Sequence, residues 1–244
     1  MATNGRSPQP LILLLCFSFF TLSDQFALLS FKSLATKDPY NVLSNWNSNI
    51  SFCDWNGVSC SHGSQRVVAL NLSGKALEGT LSPYINNLSF LQFLDLTNDS
   101  FHGYLPIDFS LLPHVEMNNL TGALPESLFN LSALQTMSFL SNQLTGHLPK
   151  DVGRCLPNLQ QLYLGANNFD GPFPPSFLNA TSLQTLTAED NEFNGPIPLE
   201  IGSLTQLWRH SLWGNMFTNT LGSCELSILT SLTKCRMLEE IHLE

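Results

Sequence analysis

The stretch Leu134–Gly153, LQTMSFLSNQLTGHLPKDVG, carries the spacing that decides the fold. Its residues fit the template LxxLxLxxNxLxGxIP, and related text recurs about every 24 residues, as NLSGKALEGTLS (71–82), YLGANNFDGPFP (163–174) and TAEDNEFNGPIP (187–198). A period of this length is typical of a solenoid, because one unit is too small to bury its apolar face and must stack on its neighbours. Any function is therefore expected on the stacked surface.

Composition narrows the classes of partner. The chain has 244 residues, of which 43% are hydrophobic and 12% charged, with a net charge of −9. Nucleic-acid binding needs clustered Lys and Arg, whereas the ten of this chain are scattered, so no nucleic-acid partner is expected.

The N-terminus has the layout of a secretory signal. Arg6 precedes the apolar run Leu11–Leu22, and this layout predicts a signal peptide over residues 1–23. A buried N-terminal helix is the alternative. Cleavage near Ser23 would remove Cys16 and leave five cysteines in an oxidising compartment. No later run reaches about 18 apolar residues. The chain is therefore expected to be secreted and to lack a transmembrane segment.

Residues 24–64 are predicted to form an N-terminal cap. Asp24–Ala35 has apolar residues at helical spacing behind an N-cap aspartate, and Pro39 stops the pattern, which predicts one amphipathic helix. Cys53 and Cys60 could be half a metal site or a local disulfide. Because no second close cysteine pair and no HxxxH pattern accompanies them, the disulfide is favoured and no metal site is expected.

The cap and first repeats resemble a known family. ALLSFKSLATKDPYNVLSNWNSNISFCDWNGVSC (27–60) and RVVALNLSGKALEGTLSPYINNLSFL (66–91) are similar to the N-terminal region of plant leucine-rich-repeat receptor-like kinases, in the group of the flagellin and elongation-factor receptors. The resemblance implies an α/β solenoid, a right-handed leucine-rich-repeat superhelix with an N-terminal cap and short parallel strands on the concave face. Over residues 65–244 it implies about seven to eight plant-type repeats, the third shortened and the last incomplete.

The same resemblance implies a function. For members of this family it implies an extracellular domain that binds a peptide or protein ligand, with a coreceptor ectodomain as a candidate second partner, in immune or developmental signalling. They carry a transmembrane helix and a cytoplasmic serine/threonine kinase, and neither is present in this sequence. No cofactor is expected.

One asparagine position is predicted to form a hydrogen-bonded ladder between coils, since its side chain can satisfy backbone groups where each coil turns. Lys75 and Asp99 depart from asparagine, so the ladder is expected to be weaker at the N-terminal end. From Asn118 onward it is expected to be intact, with Asn142, Asn167, Asn191 and Asn215.

The third unit is shortened. Gly103 and Gly122 are 19 residues apart, whereas the interval from Gly122 to Gly146 is 24 residues. About five missing residues amount to one strand, or roughly 17 Å of extended chain. We therefore predict a distorted or strandless coil near residues 111–119 and a break in the parallel sheet. A gene-model error explains the spacing equally well.

The repeat pattern loosens at the C-terminal end. Asn219 replaces the expected glycine, and the sequence stops at Glu244 partway through a strand, without a capping cysteine motif. This ending is expected of a truncated product or a fragment.

Residues between the core leucines of each strand alternate onto the concave face. In three consecutive coils they form a candidate peptide-binding strip, because aromatic residues and Arg dominate binding hot spots. The alternative is that each is a solvated strand residue. The strip comprises Gln161, Tyr163, Thr185, Thr187, Glu189, Arg209, Ser211 and Trp213.

Seven NxS/T sequons are candidate glycosylation sites in a secreted chain. Three of them occupy the same repeat position, so their glycans would line one edge and leave another face free; Asn71 is expected on the concave face. The sequon residues are Asn49, Asn71, Asn87, Asn98, Asn119, Asn130 and Asn179.

Other reactive residue types have structural interpretations. His210 takes the place of a core leucine, and Cys155 and Cys235 are expected to be buried free thiols, with Cys224 unmatched. No glycine-rich loop, HRD or DFG motif and no cysteine, histidine and asparagine pattern indicates catalysis, so no catalytic residue is predicted.

Two alternative interpretations of the chain remain at this point. One is a secreted inhibitor similar to the polygalacturonase-inhibiting proteins, which close with a C-terminal cysteine cap that this chain lacks. The other is a non-functional truncation product, which the short third unit and the abrupt end favour.

Overall fold

The computed structural model of the chain describes residues 23–107, 114–218 and 226–242. The described residues leave out most of the predicted signal segment with its cysteine, part of the third unit, Asn219, Cys224 and the last two residues. Within them, each regular coil passes from a concave strand through a turn to a second strand and then to a short helix on the convex side.

The secondary structure elements are short. The strands are β1 (Ala35–Lys37), β2 (Val58–Cys60), β3 (Val67–Asn71), β4 (Glu78–Thr80), β5 (Phe93–Asp95), β6 (Ser100–Tyr104), β7 (Asn119–Gly122), β8 (Thr136–Ser138), β9 (Gln143–His147), β10 (Gln161–Tyr163), β11 (Asn168–Pro172), β12 (Thr185–Thr187), β13 (Glu192–Gly195), β14 (Arg209–Ser211), β15 (Met216–Phe217) and β16 (Glu240–His242). The α-helices are α1 (23–34), α2 (Val152–Cys155) and α3 (Leu226–Leu232). The 3-10 helices are Phe52–Asp54, Pro83–Asn87, Glu126–Asn130, Pro175–Asn179 and Leu199–Ser203.

The concave sheet is divided at the third coil, as predicted. Its first part has the order β2-β3-β5 and its second part the order β16-β14-β12-β10-β8. Between them the described residues contain an isolated parallel bridge from Asp95 to His114. Residues 108–113 of this coil are not described.

The second sheet runs along the flank of the solenoid without a division. Its order is β1-β4-β6-β7-β9-β11-β13-β15, with β1 antiparallel to β4. Across the shortened coil β6 pairs directly with β7, and Gly103 lies opposite Leu120. The shortening therefore interrupts one sheet and leaves the other continuous.

The asparagine ladder is intact from Asn118 onward, as predicted. The Asn142 amide nitrogen donates to the carbonyl oxygens of Val115 in the preceding coil (3.0 Å) and of Phe139 in its own coil (3.2 Å). Its Oδ1 accepts from the Leu120 N–H at 3.1 Å. Each ladder asparagine thus joins two coils through groups that the apolar core would otherwise leave unsatisfied.

Asp99 weakens the ladder at its N-terminal end. Its Oδ1 accepts from the N–H groups of Lys75 and Leu77 at 2.9 and 3.0 Å. Its Oδ2 is buried and has no hydrogen-bond partner, because a carboxylate cannot donate as the asparagine amide does. Burial raises the pKa of Asp99 to about 6.

The N-terminal cap contains the predicted disulfide between Cys53 and Cys60. Next to it the buried indoles of Trp46 and Trp55 stack with their centroids 5.4 Å apart. These contacts close the apolar end of the first coil.

Two local expectations were wrong. Asp24 lies within α1 instead of capping it, and its carboxylate accepts from Nε and Nη2 of the buried Arg66 at 2.8 and 2.7 Å. Cys155 is exposed, because it ends the short α2 on the convex side, whereas Cys235 is buried as expected.

Candidate ligand-binding surface

Three neighbouring strands bring the candidate strip together. Gln161, Thr185 and Arg209 lie opposite one another in the parallel register, and so do Tyr163, Thr187 and Ser211. Two residues further along the chain, backbone hydrogen bonds continue this register through the third column, which holds Gly165, Glu189 and Trp213.

Accessibility divides the strip into two groups. Thr185, Thr187 and Ser211 are only 0%, 2% and 3% exposed. Trp213 is 42% exposed. Gln161, Tyr163, Glu189 and Arg209 are half-buried. A partner on this face would therefore contact the five longer side chains first.

Several polar atoms in the strip have no hydrogen-bond partner. They are Oγ1 of Thr185, Oγ1 of Thr187, Oε2 of Glu189 and Nε of Arg209, all buried from solvent. A buried acceptor or hydroxyl without a partner costs about 1–3 kcal/mol. These atoms consequently mark the place where a bound group or an ordered water would be stabilised.

The concave face is acidic. Asp95, Glu116, Glu189 and Glu240 lie on its rungs, and Arg209 is the one Lys or Arg on the concave strands that the structure describes. Arg209 is itself paired, since its Nε lies 3.2 Å from Oε2 of Glu240 on the next strand, an ion-pair contact that lacks the geometry of a hydrogen bond.

His210 occupies a leucine position beneath the strip, as predicted. Its side chain is fully buried, and neither ring nitrogen has a hydrogen-bond partner. Burial lowers the pKa of His210 to about 4, so the ring is neutral near pH 7. It is part of the core and does not reach the concave surface.

Comparisons with known proteins agree with this geometry. Family models match a leucine rich repeat N-terminal domain over residues 22–61 and a leucine rich repeat over residues 158–180. The LRR ectodomain of the receptor kinase GASSHO1/SCHENGEN3 from Arabidopsis thaliana, solved with CASPARIAN STRIP INTEGRITY FACTOR 2, aligns with a TM-score of 0.73 and 29% identity. The alignment covers 90% of this chain and 29% of that one. The chain is a leucine-rich-repeat solenoid.

Two further similarities connect it to plant receptors. The LRR receptor-like serine/threonine-protein kinase EFR of Arabidopsis thaliana is 44% identical over 89 residues, which are 36% of this chain and 9% of that protein. The Arabidopsis receptor kinase HAESA, solved with an IDA peptide hormone ligand, aligns with a TM-score of 0.52 and 27% identity, covering 82% of this chain and 42% of that one. The solenoid thus resembles receptor-kinase ectodomains and spans only 8 to 9% of the first curated relatives it matches.

All seven sequon asparagines of the solenoid are exposed. Asn87, Asn130 and Asn179 each end a 3-10 helix on the convex side, so glycans there would line one edge. Asn71 ends β3 at the N-terminal end of the concave face. None of the eight strip residues is a sequon asparagine.

The sequence analysis missed Gly165 as part of this surface. A Cβ added there would lie 2.8 Å from Cδ and Oε1 of Glu189 and 3.1 Å from Cδ1 of Leu140. The carboxylate therefore folds over the glycine of the preceding rung. A glycine at a position where neighbouring repeats carry larger residues was the available signal.

Two further features of the described part of the chain concern metal ions and membranes. There, no three His, Cys, Asp or Glu side chains are placed to hold a metal ion. In the same residues no helix is long and apolar enough to cross a membrane.

Proposed function

We propose that this solenoid is the extracellular recognition part of a plant receptor-like serine/threonine kinase and binds a peptide or protein on its concave strip. The observation that carries the proposal is the strip itself, where Tyr163, Glu189, Arg209 and Trp213 lie on three adjacent rungs without a sequon among them. Aromatic and arginine side chains in such a cluster are typical of binding hot spots. The similarity to ectodomains solved with peptide ligands supports the same function.

The remaining features of the proposal concern the whole product. Residues 1–23 would direct secretion, the convex sequons would carry glycans, and a coreceptor ectodomain would be a second partner. The chain itself would be a binding protein and not an enzyme, because an open sheet face lacks the enclosed pocket that catalysis favours. Signalling in immunity or development would depend on the serine/threonine kinase domain of the whole receptor.

A peptide selection tests this function. The glycosylated chain, secreted from plant or insect cells, would be immobilised and panned with a displayed random dodecapeptide library. We expect enriched peptides whose affinity falls about tenfold or more in Tyr163→Ala and in Trp213→Ala, since each removes a large anchor. Tyr40→Ala, which removes an aromatic side chain that is 68% exposed on the cap, is the matched control and is expected to bind normally. Failure to enrich any peptide, or equal binding by all variants, would overturn the proposal.

A further inference from the structure

The Glu189 carboxylate lies in a notch of the concave face. Gly165 provides the space, because any side chain at this position would meet the carboxylate at 2.8 Å. Leu140 lies on the other side of the same position, at 3.1 Å from the added Cβ. The acid is therefore held against backbone and an apolar side chain, where solvent screens its charge less than at an exposed site.

The notch contains two buried oxygen atoms without a hydrogen-bond partner. Oε2 of Glu189 is buried and has no hydrogen-bond partner, and neither has Oγ1 of the 2% exposed Thr187 two residues earlier on the same face. Lysine and arginine side chains carry several N–H donors and no acceptor. The N–H donors of a cationic head group can satisfy both atoms, and its charge is opposite to that of the carboxylate.

Two aromatic residues lie next to the notch in the strand register. Trp213 follows Glu189 in the same column, one rung or about 4.8 Å further along the sheet. Tyr163 lies two residues before Gly165, on the preceding rung. Cations bind favourably over Trp and Tyr rings, and the effect increases when water is excluded.

The surrounding charge favours the same ligand. The described rungs carry four carboxylates and one arginine, and that arginine is already paired with Glu240. The carboxylates are those of Asp95, Glu116, Glu189 and Glu240. Asp190 adds a carboxylate at the rim, where it lies against Gly214. An anionic ligand would be repelled by this face. A calcium ion would need six to eight oxygen ligands, more than one carboxylate with neighbouring hydroxyls offers.

We propose that the ligand of the concave strip is a cationic peptide, and that one of its lysine or arginine side chains seats at Glu189 above Gly165, between Tyr163 and Trp213. This inference rests on the proposed function and specifies its ligand class. Glu189 would form a charge-assisted hydrogen bond with the bound head group, stronger than a neutral one.

The same peptide selection, repeated on two variants, tests the ligand class. Glu189→Gln removes the charge with little change of shape, and Glu192→Gln makes the identical change on the exposed flank strand of the same coil. On the unmodified chain and on Glu192→Gln we expect enrichment of Lys and Arg. The enriched peptides should bind Glu189→Gln roughly tenfold more weakly, the effect of losing one hydrogen bond to a charged group.

A charge reversal separates the possible failures. Glu189→Lys is expected to shift the selected peptides from basic to acidic. If peptides are enriched and depend on Tyr163 and Trp213, but are neutral or acidic on the unmodified chain or bind Glu189→Gln equally well, the cationic ligand class is overturned and the binding function stands. If no peptide is enriched on any variant, both proposals are overturned.

Discussion

At the shortened third coil the two sheets of the solenoid differ. The concave sheet falls into a three-stranded and a five-stranded part, whereas the flank sheet continues through eight strands. The missing residues lie before the ladder asparagine, so the concave strand is reduced to the bridge at His114, whereas Asn118 and β7 remain. A coil can therefore shorten its concave strand to a single bridge and stay stacked, provided that the ladder and the flank pairing persist.

Both sheets begin in the cap, so a substitution that destabilises the cap tests whether the stability of both sheets depends on it. In Asp24→Ala the buried Arg66 loses its carboxylate, so we expect a loss of about 3–5 kcal/mol in the free energy of unfolding. Urea unfolding followed by circular dichroism measures it. Lys37→Ala, which breaks an exposed ion pair on β1, is expected to change the stability by less than about 1 kcal/mol. A small effect of Asp24→Ala would mean that the cap does not hold the sheets.

The second-largest loss in the free energy of unfolding is expected from the asparagine ladder at the third coil. The Asn118 amide nitrogen donates to the carbonyl oxygens of Leu96, Val115 and Glu116, so Asn118→Ala leaves buried groups unsatisfied. We expect a loss of about 3 kcal/mol in urea unfolding. The same change at Asn215, which is half-buried, should cost about 1 kcal/mol because water reaches the freed groups. Equal losses would show that the ladder is no more important at the divided sheet.

His210 tests the five-stranded part of the concave sheet. His210→Leu restores the usual core residue and is expected to stabilise the chain by about 2 kcal/mol at pH 7. Because burial lowers the histidine pKa to about 4, the unfolded state takes up the proton first as the pH falls. Stability should then decline from about pH 6.5 towards pH 4, by up to roughly 3 kcal/mol. Unfolding midpoints measured across this range should lose that slope in His210→Leu; an unchanged slope would contradict the assignment.

Asp99 tests the three-stranded part and has the opposite pH dependence. Its pKa is raised to about 6, so the folded state holds the proton more tightly than the unfolded state does. The stability that Asp99 contributes at low pH is therefore lost as the pH rises from about 4 to 6. Asp99→Asn supplies the missing amide donors and should stabilise the chain by about 1 kcal/mol at pH 7. The gain should vanish near pH 4 in thermal melts. A gain that persists there would have another cause.

Repetition made much of this fold predictable. The positions of Asn118 and Asn142, the core leucines and the break near residue 115 follow from spacing, since each depends on the same local pattern in every coil. The disulfide between Cys53 and Cys60 was predictable because the two residues are close in sequence.

The candidate site was less predictable. Alternation along the strands places Thr185 and Thr187 on the concave side, but it does not show that both are almost fully buried there. Nor does it show that Glu189 folds back over Gly165, since that contact joins residues 24 positions apart.

The sequence by itself therefore determined the repeat, the ladder, the divided sheet and the acidic character of the chain. The tertiary structure decided which side chains of the strip are accessible, which acceptors lack donors and that Asp24 pairs with Arg66 across 42 residues. The physical reason is that periodicity specifies the position of each residue within its own coil. Accessibility and pairing depend on the side chains of other coils.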